Sequence, residues 1–544
     1  MRVGVALLLV TTTAAAQPFE EWLPPRTVLC FSVRDAAKLR LRVQRSPLPT
    51  MFAHPGAEGS WEMLRAFLIG RGADPDATAA LLEHPTGQVV MALWETGGAA
   101  FELQGALLAD VRGSEERFRR AWMRLLRDEE RRHRVERRER RVAGVTVHER
   151  SFRVGRESVR SAWFLQRGVF GFAPDATQLA GLLTRRRAGG ESFAQDAGYR
   201  RFRARVPGTP DILLYVSSSL WGPRAAPELQ PMLRAGGFAN LTSFGMQLSF
   251  VEEGVYSRVH LDLDGPRRGL LRMFRPAEES LAPPRWLPLR TAAAATLRLD
   301  HRRMLGELMR AADTIHPGLQ QLLQQDVRRI AKEKGVDLGR DLVAALGART
   351  TLALLPLDAR LRRDAKQRGM PPDLYGLALV QEVENEAAMT RVLRAGLSLL
   401  GVVTRREIEG VPVFVVPGRE GGAAAIFDGH LVLARHVDLV ADLIARWRRG
   451  GDGVRRGAVF ARALAHAPER RSVFSFYAPP PMPAPLRPRD ERTARLLRAA
   501  GHAPGHWWRA HHDLTVFSVA DAGSGLVLTW FTGLRHATSL PTEK

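Results

Sequence analysis

A chain that repeats its own opening is constrained to build the same thing twice. WLPPRT stands at residues 22–27 and WLPLRT at residues 286–291 of a 544-residue chain. The two hexapeptides head a series that runs in the same order. GQVVMAL (87–93) is matched by ARTTLAL (348–354), ALLADV (106–111) by ALVQEV (378–383), and VAGVTV (142–147) by IEGVPV (408–413). GVFGFA (168–173) is matched by GHLVLA (429–434), and ILLYV (212–216) by VFSFY (473–477). The separation stays between 260 and 272 residues throughout. Chance supplies one such echo, but not an ordered set.

Each matched stretch is a short apolar run rich in β-branched residues, the pattern of a strand. Between them lie amphipathic helices. Phe118, Trp122, Leu125 and Leu126 share one face after the first ALLADV, and Met389, Val392, Leu393 and Leu397 share one after its partner. Leu179, Leu182 and Leu183 do the same after GVFGFA, as do Val440, Leu443 and Ile444 after GHLVLA. Gly144, Gly168, Gly410 and Gly429 fit tight turns leading into strands. Each copy closes on a hairpin, 246–251 with 255–263 and 514–519 with 526–532.

The pattern predicts an α+β fold: two tandem homologous domains, each a mainly antiparallel sheet with packed amphipathic helices. A doubly wound parallel sheet would need regular βα alternation and a glycine-rich first turn, and neither is present. The predicted organisation is a signal peptide at 1–16, a first copy at 17–275, a Pro/Glu-rich linker at 276–285, a second copy at 286–536 and a flexible tail at 537–544. The proline of each hexapeptide is expected to start the first strand of its copy. Each tryptophan is expected to cover one end of its copy's core.

The first sixteen residues run from Met1-Arg2 through an apolar stretch, Val3 to Val10, to Ala14-Ala15-Ala16. That is the charged start, apolar centre and small-residue exit of a secretory signal, so the chain is expected to be exported and soluble, periplasmic or extracellular. The stretch is too short to span a bilayer, and no later run reaches the length of a membrane helix. No cysteine follows it closely, which argues against a lipid anchor. The single cysteine, Cys30, rules out an internal disulfide and lies in the β-prone run TVLCFSV, where it is expected to be a small buried hydrophobe.

Composition is that of a globular protein, 45% apolar and 25% charged, with a formal charge of +23. Only five of its 80 basic residues are lysine, a skew as expected of a GC-rich genome as of a binding surface. The densest basic stretch, 112–141, also carries seven acids, so it reads as a solvated helix face or arm rather than a nucleic-acid patch. The part beyond Leu126, residues 127–141, is expected to face solvent, because Val135 is its only apolar residue before the strand.

The secretion signal, LPPRTVLCFSVRDAAKLR (23–40) and the helix carrying RSPLPTMF (45–52) resemble the exported bacterial proteins grouped as domain of unknown function 3352. The strand–acid–helix elements at Asp110 and Glu382 and the glycine-entered strands at Gly168 and Gly429 share that resemblance. It implies a protein of the bacterial envelope and supplies no catalytic residues.

One local cluster has the composition of a metal site: GHAPGHWWRAHHD, with His502, His506, His511, His512 and Asp513. Gly501, Pro504 and Gly505 break any helix that would align these imidazoles, and the matching stretch GGFANLTSFGMQ has no histidine. The loop is therefore read as structural, anchored by Trp507 and Trp508. GSG within DAGSGL (521–526) and GREGG (418–422) read as turns, since a nucleophile elbow or phosphate cradle needs residues that are missing. Glu252-Glu253 reads as a solvated hairpin turn.

No catalytic, cofactor-binding or metal residue is assigned, and no cofactor. The leading reading is a non-catalytic exported envelope protein that binds or scaffolds. A second is a binding module for an anionic partner, an envelope polymer or nucleic acid, through an arginine-rich surface. A third is a metal-dependent enzyme using the 502–513 loop.

Overall fold

A computed structural model describes residues 17–49, 81–97, 101–222, 226–274, 281–357, 375–398, 403–416, 422–450, 453–478, 512–521 and 525–534. The expected signal, the first half of the expected linker, the GREGG loop up to 421 and the tail lie outside them. So do His502, His506 and His511. The fold is mixed helix and strand on extensive antiparallel sheet. The described residues form two compact units, one holding residues up to Ala37 and from 81 to Arg205, the other residues 38–49 and from Val206 onward.

The first unit contains β1 (Thr27–Val33), β2 (Val89–Glu95), β3 (Leu103–Asp110), β4 (Glu136–Val142), β5 (Val145–Val154), β6 (Glu157–Gln166) and β7 (Val169–Ala173). They lie in the order β1-β2-β3-β7-β6-β5-β4, each pair antiparallel. Alternation along the strands gives the sheet two apolar faces. Leu107, Ala109, Trp163, Phe170 and Phe172 meet Phe118, Trp122 and Leu126 of helix α1 (Glu115–Arg132) on one. On the other, Phe164 lies across from Gly171, whose ideal Cβ would sit 2.1 Å from the Phe164 ring. A glycine is required there by the close approach of that ring. Helices α2 (Ala176–Ala188) and α3 (Ala197–Arg205) follow, burying Leu179, Leu182, Leu183, Tyr199 and Phe202.

The second unit begins with β8 (Ile212–Ser217), β9 (Leu241–Val251) and β10 (Gly254–Leu263). It continues with β11 (Ala293–Arg298), helices α4 (His301–Ile315) and α5 (Leu319–Lys334), β12 (Leu346–Pro356), β13 (Tyr375–Val383) and helix α6 (Glu386–Ser398). Next come β14 (Thr404–Ile408), β15 (Val411–Val415), β16 (Ala423–Phe427), β17 (His430–Ala434) and helices α7 (Val437–Arg449) and α8 (Ala458–Ala465). β18 (Val473–Tyr477), β19 (His512–Asp521) and β20 (Gly525–Leu534) complete it. Strands β11 to β17 lie in the order β11-β12-β13-β17-β16-β15-β14. From β11 the sheet runs the other way through β18-β19-β20-β10-β9-β8. The register of β10 on β20 runs from Gly254 opposite Gly533 to Asp262 opposite Gly525, joining two closing hairpins edge to edge. Such pairing removes two exposed edges at once.

The main core of this unit packs Leu439, Val440, Leu443 and Ile444 of α7 and Phe460 of α8 onto Val380, Val413, Ala425, Val432, Phe474 and Phe531. Leu281, inside the expected linker, is 3% exposed and belongs to this core.

The turns follow from the glycines. Ala143-Gly144, Arg167-Gly168, Glu409-Gly410 and Asp428-Gly429 all have positive φ at both residues. That backbone joins two-residue hairpins whose twist matches right-handed strands. These four pairs supply every positive-φ non-glycine among the described residues.

One expectation is corrected. The hexapeptide prolines do not start strands. Thr27 donates from both its N–H and its hydroxyl to Pro24 O, 3.1 and 2.6 Å away, so the proline sits in a turn before β1. Thr291 does the same to Pro288 O at 3.0 and 2.6 Å, and β11 begins later, at Ala293. The charged run faces solvent from Glu136 to Arg141 as expected, on strand and not helix: α1 ends at Arg132 and β4 is exposed at every position from Glu136 to Arg141. Pairing with β5 holds β4 in place without apolar burial.

Candidate functional site

The repeated hexapeptide makes the same local scaffold in each unit. Trp22 and Trp286 are 2% and 3% exposed, and Leu23 and Leu287 are fully buried. Leu23 O accepts from Phe193 N at 3.0 Å, and Leu287 O accepts from Val454 N at 2.9 Å. Nearby, Val111 N donates to Gly168 O and Val383 N to Gly429 O, both at 2.8 Å. The polar side chains set on these scaffolds differ.

In the first unit the polar groups beside the turn bond to one another. Glu20 is 5% exposed, and its carboxylate accepts from Gln88 Nε2 at 2.7 Å, Ser32 Oγ at 3.3 Å and Tyr199 Oη at 3.3 Å. Gln88 Oε1 in turn accepts from Phe19 N at 2.9 Å. Burial, with the Glu20 charge adding to it, pushes the Tyr199 phenol up, so it stays protonated and donates. The same two causes raise the Cys30 thiol well above its ordinary value, making it a buried apolar group and not a thiolate nucleophile.

In the second unit the corresponding turn borders an open cleft of about 200 Å³. Arg285, Arg349, Arg455, Glu382, Asp428, His430 and Trp286 supply its polar and aromatic lining, over a floor that includes Thr351 and Val380. Strand register positions Arg349 and Glu382 on β12 and β13. The turn before β17 positions Asp428, and β17 itself His430. Arg455 comes from a 3-10 turn after α7.

Both carboxylates are already engaged. Asp428 Oδ2 accepts from Trp286 Nε1 at 2.9 Å, and Glu382 Oε2 accepts from Arg349 N at 3.1 Å. His430 Nδ1 lies 2.5 Å from Asp428 O. A carbonyl can only accept, so Nδ1 carries a proton and donates in this contact. Arg455 Nε donates to Pro283 O at 2.8 Å, which holds its guanidinium at the rim. The cleft thus brings three guanidiniums and two carboxylates around an indole, with the acids partly satisfied from within.

The sequence singled out Glu382 as the acid ending a strand and Gly429 as a turn, but not their convergence with Arg285, Arg349 and Arg455. No linear motif signals it, since the residues come from five separate stretches. Of the histidine cluster, His512 and Asp513 are described. His512 is buried with Nε2 2.6 Å from Thr515 Oγ1, and Asp513 pairs with Arg462 at 2.5 Å. No group of three metal-ligating side chains converges among the described residues.

No family model matches the chain, and no curated protein matches it. Solved structures of TP0453 are similar over part of it. Crystal form III is 9% identical with a TM-score of 0.28, covering 50% of this chain and 91% of that one. Crystal form I is 10% identical with a TM-score of 0.26, covering 48% and 83%.

Proposed function

We propose that this chain is an exported, non-catalytic binding protein of the bacterial envelope, built as a tandem duplication in which the second copy carries the binding cleft. The observation that carries this reading is the contrast at one position of a shared scaffold. Strand order β1-β2-β3-β7-β6-β5-β4 is repeated as β11-β12-β13-β17-β16-β15-β14, with the same turn and carbonyl hydrogen bonds. On that equivalence Glu20, Gln88 and Tyr199 correspond to Pro284, Arg349 and Phe460. The first set bonds to itself, through Gln88 and Tyr199 donating to Glu20. The second removes the acid and the phenol, adds a guanidinium and lines the cleft with Pro284 and Arg349. A duplicated fold that keeps its backbone bonds while changing the polar groups at one place is using that place for recognition. The secretory signal and the resemblance to the exported family support the envelope location.

The experiment is photo-crosslinking in cells from Ala282, inside the cleft, and from exposed Arg26 of the first unit as control. A discrete envelope adduct from position 282 alone is expected. Equal labelling from both positions, or none from 282, overturns the binding reading.

A further inference from the structure

We infer that the exposed edge strand β4 of the first unit docks an extended acidic polypeptide segment, which adds to the sheet as a further strand. This surface is separate from the cleft of the second unit and does not depend on it. β4 is the last strand of its sheet and, among the described residues, pairs with β5 alone. In an antiparallel pair every second residue turns its N–H and C=O away from its partner, so β4 presents a row of such groups outward. A row of this kind is a template for another chain. The seven residues of β4, ERRERRV, carry four arginines against two glutamates and are exposed from Glu136 to Arg141. Its counterpart β14 has only five residues.

Two acids of this arm are engaged from within. Glu130 accepts from Arg137 Nε at 3.1 Å and lies 3.7 Å from Arg150, and Glu139 Oε1 lies 3.0 Å from His148 Nδ1. Arg138 and Arg141 have no ion pair or hydrogen bond among the described residues. Across the ladder Arg138 faces Glu149 without an ion pair forming, and Arg141 faces Thr146. Arg140 acts on Asp175 through its charge. Alternation puts Arg138 and Arg140 on one face and Arg137 and Arg141 on the other, so both faces of the edge are basic. Side chains on one face of a strand repeat about every 6.8 Å, and acids alternating along an added strand repeat at the same distance. Each then meets a guanidinium, whereas like charges set opposite each other are destabilising and exclude a basic segment. Main-chain bonds supply the affinity in this mode of docking, and alternate side chains select the partner.

Fluorescence anisotropy tests this on the mature chain with a labelled decapeptide of alternating Glu and Thr. Saturable binding is expected, and the same peptide with Lys in place of Glu should not bind. The double variant Arg138→Gln/Arg141→Gln should weaken binding by about tenfold or more, as loss of charge-assisted bonds does. Both side chains are exposed, so near-UV dichroism of the variant should match the parent. Arg328→Gln/Lys332→Gln, at exposed positions of α5, removes the same charge and should bind as the parent does. Two further peptides carry N-methyl groups on every Thr or on every Glu, which removes main-chain donors at unchanged charge. One of the two should lose binding, since only one set of amides faces β4. No saturable binding, or parental affinity in the Arg138/Arg141 variant, overturns the proposal. Parental affinity for both methylated peptides also overturns it, and marks β4 as a surface for polyanions of any backbone.

Discussion

Trp22 and Trp286 hold equivalent places, yet their indole N–H groups have different fates. Trp286 donates to Asp428, whereas Trp22 Nε1 is buried with no acceptor, and its ring is covered instead by the Arg186 guanidinium 4.3 Å away. A made hydrogen bond contributes about 1 kcal/mol, and an unmade buried donor costs free energy. Trp286→Phe should therefore destabilise by about 1 kcal/mol more than Trp22→Phe in urea unfolding. Equal losses would show that the Asp428 bond contributes nothing net. Gly171 is the sharper case. A methyl placed 2.1 Å from the Phe164 ring forces one of two packed strands to move. Gly171→Ala should cost roughly 1–3 kcal/mol, as other overpacked cores do.

At the scale of the element, two features stand out. Asp175 caps α2, accepting from Thr177 N at 2.7 Å, and the hydrogen bonds from Thr177 hold its carboxyl below the usual 3.8. A folded-state value lower than the unfolded one means that this stability is present above pH 3.8 and is lost as pH falls through the folded value. Asp175→Ala should cost about 1 kcal/mol at neutral pH, typical of a lost cap. The gap from the parent should close in acid, and a pH-independent gap in urea midpoints would contradict the cap. The other feature is the arm made by the end of α1 and by β4. Its strand buries almost nothing, but Glu130 pairs with Arg137 and lies 3.7 Å from Arg150, which is 4% exposed. Glu130→Gln should cost roughly 1–3 kcal/mol by leaving a buried guanidinium poorly compensated. Neutralising the outward Arg138 or Arg140 should stay within about 0.5 kcal/mol, as surface changes do. Similar losses from all three would mean that charge density, and not the Arg150 contact, governs the arm.

The whole molecule carries +23 formal charges, and self-repulsion on that scale opposes the compact state. Exposed charges interact over about 10 Å at 0.1 M salt and over about 30 Å at 0.01 M. Raising sodium chloride between those concentrations should raise the melting temperature of the mature chain. A fall would show that attractive ion pairs outweigh the repulsion. Export is checked separately: mass spectrometry of the secreted form should find the chain beginning near Gln17.

The sequence by itself determined the strands, the helix faces and the turns, because each is written in local periodicity. Leu179, Leu182 and Leu183 fall on one buried helix face for that reason, and so do Val440, Leu443 and Ile444. Arg167-Gly168 and Asp428-Gly429 turn where only a positive φ joins the strands. Local pattern misled where the competing forces were not local. The charged run after Leu126 has no apolar stripe to announce a strand, yet a ladder to β5 makes one. The hexapeptide proline serves the threonine three residues on and not the strand. Only the tertiary structure decided the rest: that β10 meets β20 along its length, and that Arg285, Arg349, Glu382, Asp428, His430 and Arg455 line one cleft. Strand register and helix packing bring together residues more than a hundred positions apart. No short-range rule encodes that convergence, because its energy exists only once the sheet has formed.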